Sequence, residues 1–206
     1  MKEYVIPRLE REDTIDFLRA PSANIDEYPW QTGNDYRPPA RARLLFAEDT
    51  GLLLHMYCEE TAPKAVYTRD MDPVYKDSCM EFFFSLDGES YVNCEMNANG
   101  ALLCCYGASR GERMPAQVLT DTVLHAFAGK TKNGWYVRLD IPLSMLYKLY
   151  GRIDFSDGFT FYGNFYKCGD ETAMPHYGAW NPVVSPRPDF HRPECFGKLI
   201  LPPKNT

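Results

Sequence analysis

Two runs of alternating side chains, joined at Asp87-Gly88-Glu89, constrain this chain more than any other feature. In the first, Met80, Phe82, Phe84 and Leu86 fall on one side of an extended strand, with Cys79, Glu81, Phe83 and Ser85 on the other. In the second, Val92, Cys94 and Met96 are apolar, and Tyr91, Asn93, Glu95 and Asn97 lie opposite. Slipping one strand by a single residue would turn its whole apolar set to the wrong face, so facing residues must have numbers that add to an even total. A three-residue loop at 87–89 sets Glu81 directly across from Glu95, with Cβ atoms about 4.5–5.5 Å apart. Like charges that close call for a shared proton, a cationic side chain, a metal ion or a bound polar ligand. Other common hairpin loops allow a register slipped by two, which sets Glu81 against Asn97 and leaves both solvated.

Strand signals of this kind recur at 41–48, 52–59, 65–68, 101–106, 118–127, 135–141, 159–167 and 196–201. Turn residues separate them, as at Glu48-Asp-Thr-Gly51, Asn97-Ala-Asn-Gly100, Lys132-Asn-Gly134 and Ser156-Asp-Gly158. Many short strands with such punctuation predict an all-β fold, an antiparallel β-sandwich. Helix is expected only at 14–18 and at 143–150, where Pro142 suits a helix start. No linker-like stretch divides the 206 residues, so a single domain over 1–206 is expected. The segment from Cys168 to Cys195 has five prolines and no clear periodicity, which predicts a functional loop lying over one sheet.

A net charge of −6 with no Lys/Arg cluster argues against a nucleic-acid partner, and no apolar run is long enough for a membrane span. The N-terminus lacks the apolar core of a signal peptide, so the chain as written is expected in the cytoplasm, or outside the cell if a leader has been removed. Seven cysteines, none in a Cys-x-x-Cys pair, predict reduced thiols in strands rather than a disulfide framework.

Extending the alternation predicts a polar face with His55, Tyr57, Glu59, Glu81, Asn93, Glu95, Arg138, Tyr162, Asn164 and Tyr166, opposite a core that includes Leu52, Leu54, Met56, Val137, Leu139, Ile141, Phe161 and Phe165. Carboxylates, amides, an arginine and rings together suit a polyhydroxylated ligand. The alternative is an ordinary solvated outer face. Trp30 and Trp135 read as core anchors, and His191 as a hydrogen-bonding clasp of the closing loop. His55 and His176 have no paired spacing that would suggest zinc.

Six segments in order carry a family likeness: Asn24-Ile-Asp-Glu-Tyr-Pro-Trp30, Val74-Tyr-Lys-Asp-Ser-Cys-Met-Glu-Phe-Phe-Phe84, Tyr91-Val-Asn-Cys-Glu-Met-Asn-Ala-Asn-Gly100, Gly134-Trp-Tyr-Val-Arg-Leu-Asp-Ile-Pro142, Phe161-Tyr-Gly-Asn-Phe165 and Phe190-His-Arg-Pro-Glu-Cys-Phe-Gly197. Through them most of the chain resembles the family 9 carbohydrate-binding modules, which are β-sandwiches. The resemblance implies non-catalytic binding of a mono- or oligosaccharide clamped between two aromatic rings. Tyr75 then stands where the family has Trp, Glu81 matches the motif carboxylate, Asn164 the late amide, and Trp180 is the candidate second ring. Asn93, Glu95 and Arg138 complete the expected ligand-binding set. The resemblance leaves structural calcium as an option, although no dense Asp run matches a calcium loop, and implies no other cofactor. Two other functions stay open: a glycoside hydrolase using the Glu81 and Glu95 pair, and a haem-binding sandwich with an interior Met or His ligand.

Overall fold

The computed structural model describes residues 1–10, 13–30 and 32–204. In chain order its strands are β1 (Glu3–Val5), β2 (Arg8–Leu9), β3 (Ala23–Ile25), β4 (Ala40–Ala47), β5 (Gly51–Cys58), β6 (Cys79–Ser85), β7 (Tyr91–Asn97), β8 (Leu102–Gly107), β9 (Met114–Pro115), β10 (Ala126–Lys130), β11 (Trp135–Pro142), β12 (Phe159–Cys168), β13 (Tyr177–Ala179) and β14 (Gly197–Leu201). Two short helices, α1 (Ala116–Thr120) and α2 (Leu143–Tyr150), interrupt them. The strands form two sheets, one in the order β1-β14-β12-β6-β7-β8-β9 with β13 added to β12, the other β10-β11-β5-β4-β2 with β3 added to β4. Pairing is antiparallel except for β1 with β14 and β2 with β4. This is the β-sandwich that the alternation predicts.

The core lies between the sheets, and the period-2 pattern assigns its residues. Leu52, Leu54, Met56, Val137, Leu139 and Ile141 from the smaller sheet meet Met80, Phe82, Phe84, Phe161 and Phe165 from the larger. Each fully buried side chain of this size contributes about 1.5–3 kcal/mol. Trp135 is fully buried here, as expected, whereas Trp30 is half-buried outside this core, against Tyr177 and Phe190. The β4–β5 turn ends on Gly51 at φ 126°, where a Cβ would come 2.3 Å from the carbonyl oxygen of Ile141, so only glycine fits.

Two strand expectations fail for identifiable reasons. The stretch 118–127 divides into α1 and β10: Thr120 Oγ1 donates to Ala116 O at 2.8 Å, and Asp121 ends the helix in the left-handed region at φ 53°. The stretch 65–68 forms no ladder, because the amides of Val66 and Tyr67 both donate to the buried Asp77 carboxylate at 2.8 and 2.9 Å. At 14–18 only a single turn of 3-10 helix forms, over Phe17–Arg19, whereas α2 spans its predicted residues.

The expected single polar face is in fact two. His55, Tyr57 and Arg138 lie on the outer side of the smaller sheet, half-buried and bordering solvent. Glu81, Asn93, Glu95 and Asn164 lie on the outer side of the larger one, where they are buried. That side is covered by the 168–195 segment, which packs Ala179, Val183 and Phe190 over Phe83, Tyr91 and Tyr166 as a second apolar cluster. The segment also contributes β13 to the sheet edge.

Candidate functional site

The β6–β7 hairpin has the register with Glu81 opposite Glu95, and the slipped alternative is excluded because Cys79 rather than Glu81 faces Asn97. Both carboxylates are almost fully buried, at 3% and 4% exposure, on the floor of a cavity of about 150 Å³. Tyr75, Tyr177, Phe190 and His191 supply aromatic walls, and Arg110, Arg113, Asp170 and Asp189 bring charge. The exposed Arg110 and Pro188 mark the side that meets solvent.

Local backbone contacts set these groups in place. Tyr75 sits on a one-turn 3-10 helix, Val74–Lys76, tied to the segment after β12 by Asp170 N to Tyr75 O at 3.1 Å and Glu171 N to Lys76 O at 3.2 Å. The Lys76–Glu171 ion pair at 2.9 Å strengthens the same junction. Asn93 donates from Nδ2 to Glu95 Oε1 at 2.9 Å, which orients that carboxylate. Arg113, from the turn between β8 and β9, places Nη1 4.0 Å from Glu95 Oε1. The His191 ring meets the Tyr91 hydroxyl through Nδ1 at 3.0 Å, the clasp expected of the closing loop.

Burial dominates the electrostatics. It pushes Glu95 up to about 7, with Arg113 and the Asn93 hydrogen bond pulling the other way. It raises Glu81 well above the ordinary carboxylate range, helped by the neighbouring Cys168 and Glu95. The pair therefore holds at least one proton near neutrality, which answers the repulsion its register creates. Asp170 is raised by burial, and His191 is lowered to about 3 by burial and the two nearby arginines, so it is neutral.

Four buried side-chain atoms among the described residues have no hydrogen-bond partner, and three are here: Asn93 Oδ1, Glu95 Oε2 and Arg113 Nη1. Orphaned polar atoms cost about 1–3 kcal/mol each, so each of these calls for a partner such as a water, an ion or a polar ligand.

Of the residues expected from sequence, Tyr75, Glu81 and Glu95 line the cavity, and Asn93 stands directly behind Glu95. Asn164 lies on the same face but is committed to the backbone of Asn181, donating to its O and accepting from its N, both at 2.9 Å. Arg138 belongs to the other sheet, where it pairs with Asp140 at 3.1 Å. Trp180 is in the intersheet core, 5% exposed, edge-on to Tyr4 and Phe165. Ring type alone could not separate a stacking platform from a core plug. Sequence reasoning passed over Arg110, Arg113, Asp170, Tyr177 and Asp189, although three of the five fall in the 168–195 segment it singled out as functional.

Calcium takes six to eight oxygen ligands. The one group of three potential metal donors found close together among the described residues, Cys79, Glu81 and Cys168, includes two sulfurs and does not fit that ion.

Comparison with known proteins bears on the family and the fold. The chain matches the model of carbohydrate-binding family 9 over residues 10–201. It is similar in structure to a protein of Bacteroides uniformis described as a putative carbohydrate-binding protein, with 27% identity, a TM-score of 0.83, and 97% of this chain and 99% of that one covered. A family 9 carbohydrate-binding module of Caldicellulosiruptor kristjanssonii shares the fold at 12% identity. Its cellotriose complex has a TM-score of 0.68 with 99% of this chain and 95% of that one covered. Its glucose complex has a TM-score of 0.67 with 99% and 97% covered. A comparison with curated proteins gives no match. With the family model spanning nearly all of its length, the chain belongs to carbohydrate-binding family 9.

Proposed function

We propose that the cavity over β6, β7 and β12 binds one sugar unit of a mono- or oligosaccharide without catalysing its cleavage. The unpartnered Glu95 Oε2 and Arg113 Nη1 carry this reading. Glu95 Oε2, when ionised, accepts a hydrogen bond and Arg113 Nη1 donates one, and a sugar hydroxyl does both, so a single vicinal diol would satisfy the pair. Tyr75 and Tyr177 offer ring faces for the apolar C–H side of the sugar. Family membership and the glucose and cellotriose complexes of the Caldicellulosiruptor module support a saccharide of that type.

Calorimetric titration with glucose, cellotriose and a panel of other sugars tests the reading. Saturable binding is expected, weakened at least about tenfold, or ~1.4 kcal/mol, by Arg113→Ala or Tyr177→Ala and unchanged by Arg138→Ala. No binding at millimolar sugar, or equal binding by all the variants, refutes it.

A further inference from the structure

Cys79 and Cys168 are direct cross-strand partners on β6 and β12, and Glu81, two residues along β6, points to the same face. One donor atom from each lies within 4.8 Å of the other two. Cys168 Sγ already approaches Glu81 Oε1 at 3.0 Å, donating its thiol proton. All three residues are buried, and Cys168 and Glu81 line the cavity, which gives an entry path from solvent.

We propose that Cys79, Cys168 and Glu81 form a zinc site in the cavity floor, with its fourth position facing the cavity. Zinc favours thiolate, imidazole and carboxylate ligands in a tetrahedron, with bonds near 2.3 Å to sulfur and 2.0–2.2 Å to oxygen. Those bonds place ligand atoms roughly 3.5–3.8 Å apart, so side-chain rotations alone close the present spacing. Three protein ligands with one open position is the arrangement of zinc that keeps a water or an exogenous oxygen. Glu95, 4% exposed and with Oε2 unpartnered, stands directly across from Glu81 and can accept a hydrogen bond from a water held there. Binding displaces the two thiol protons and any proton on Glu81 to solvent, leaving two thiolates and a carboxylate on the ion.

A second cysteine pair shows what the site needs. Cys94 and Cys104 also face each other across strands, with sulfurs 3.6 Å apart, but they lie in the apolar intersheet core. No carboxylate joins them in a group of close donors, and only a small cavity of about 30 Å³ borders Cys104, so they provide an internal control.

The test is Co²⁺ titration of the reduced, metal-free full chain, followed by thiolate-to-cobalt charge-transfer absorption. The expected result is one ion per chain, with the absorption abolished by Cys79→Ser or Cys168→Ser, tenfold weaker binding in Glu81→Gln, no change in Cys94→Ser, and bleaching by Zn²⁺. X-ray absorption of the zinc-loaded wild-type protein needs no variant to fold, and two sulfur neighbours are expected. Absence of charge transfer, its survival in both cysteine variants, or a shell without sulfur overturns the site. The proposal does not depend on the saccharide reading, because sugar titration of the metal-free chain fails or succeeds separately.

Discussion

Glu81 and Glu95 are direct cross-strand partners, and both are withdrawn from solvent beneath loops that cover the outer face of the larger sheet. An antiparallel sheet ordinarily turns one face to water. Here the covering segment converts that face into a second interior, and the two carboxylates become the floor of a cavity walled by aromatic and charged side chains. Their chemistry follows from that burial.

The pH dependence of stability reports it. An unperturbed glutamate titrates near 4.5, whereas folded Glu95 titrates near 7. Between these values the folded state binds more protons than the unfolded state, so the Glu95 contribution to stability falls as pH rises, by at most about 1.4 kcal/mol per pH unit. His55, His176 and His191 act in the opposite sense: with folded values below 6.5, they favour the unfolded chain as pH falls through that value. Comparing the wild type with Glu95→Gln cancels the histidines. The two should be equally stable below about pH 4.5, and the variant more stable by about 1–3 kcal/mol above about pH 7. Urea unfolding across this range checks it, and a difference that does not change with pH would contradict the buried, protonated state.

Trp180 separates a structural from a binding role. Its ring fills the space over Gly197, where a Cβ would come within 2.4 Å of it, and packs against Phe165 with centroids 5.6 Å apart. Trp180→Ala should therefore cost about 3–5 kcal/mol of stability. Loss of sugar affinity at unchanged stability would instead assign the ring to the ligand.

Beneath the site, Lys167 is fully buried, with Nζ 2.6 Å from His176 Nε2, 2.9 Å from Cys168 O and 3.5 Å from Glu60 Oε2. Glu60 accepts in addition from Ser78 Oγ at 2.9 Å and Trp135 Nε1 at 3.0 Å. Lys167→Met strands the Glu60 charge and should cost about 3–5 kcal/mol. Adding Glu60→Gln should recover much of that loss in a double-mutant cycle, whereas additive losses would show that the two do not interact.

Only part of the hairpin register was legible in the sequence: apolar parity acts locally and restricts facing pairs to even sums, but loop length left Glu81 opposite either Glu95 or Asn97, and in the fold it faces Glu95. Parity says which residues share a side of a strand, but not which sheet the strand joins. Arg138 and Glu81 therefore read as one face although β11 and β6 lie in different sheets. The cavity walls were less legible still. Asp170, Tyr177 and Asp189 sit in a segment whose path is fixed by long-range contacts, such as Asp170 N to Tyr75 O and the Trp30 indole to Ser185 O. Arg113 depends on a turn that carries no periodic signal.

The most direct measurement is a crystal structure of the chain soaked with the sugar that binds best in calorimetry. The account predicts the sugar over the Glu81 and Glu95 floor, with hydroxyls bonded to Glu95 Oε2 and Arg113 Nη1 and a ring face against Tyr75 or Tyr177. A sugar seated elsewhere, such as the surface pocket formed by Tyr28, Trp30 and Tyr36, would contradict it.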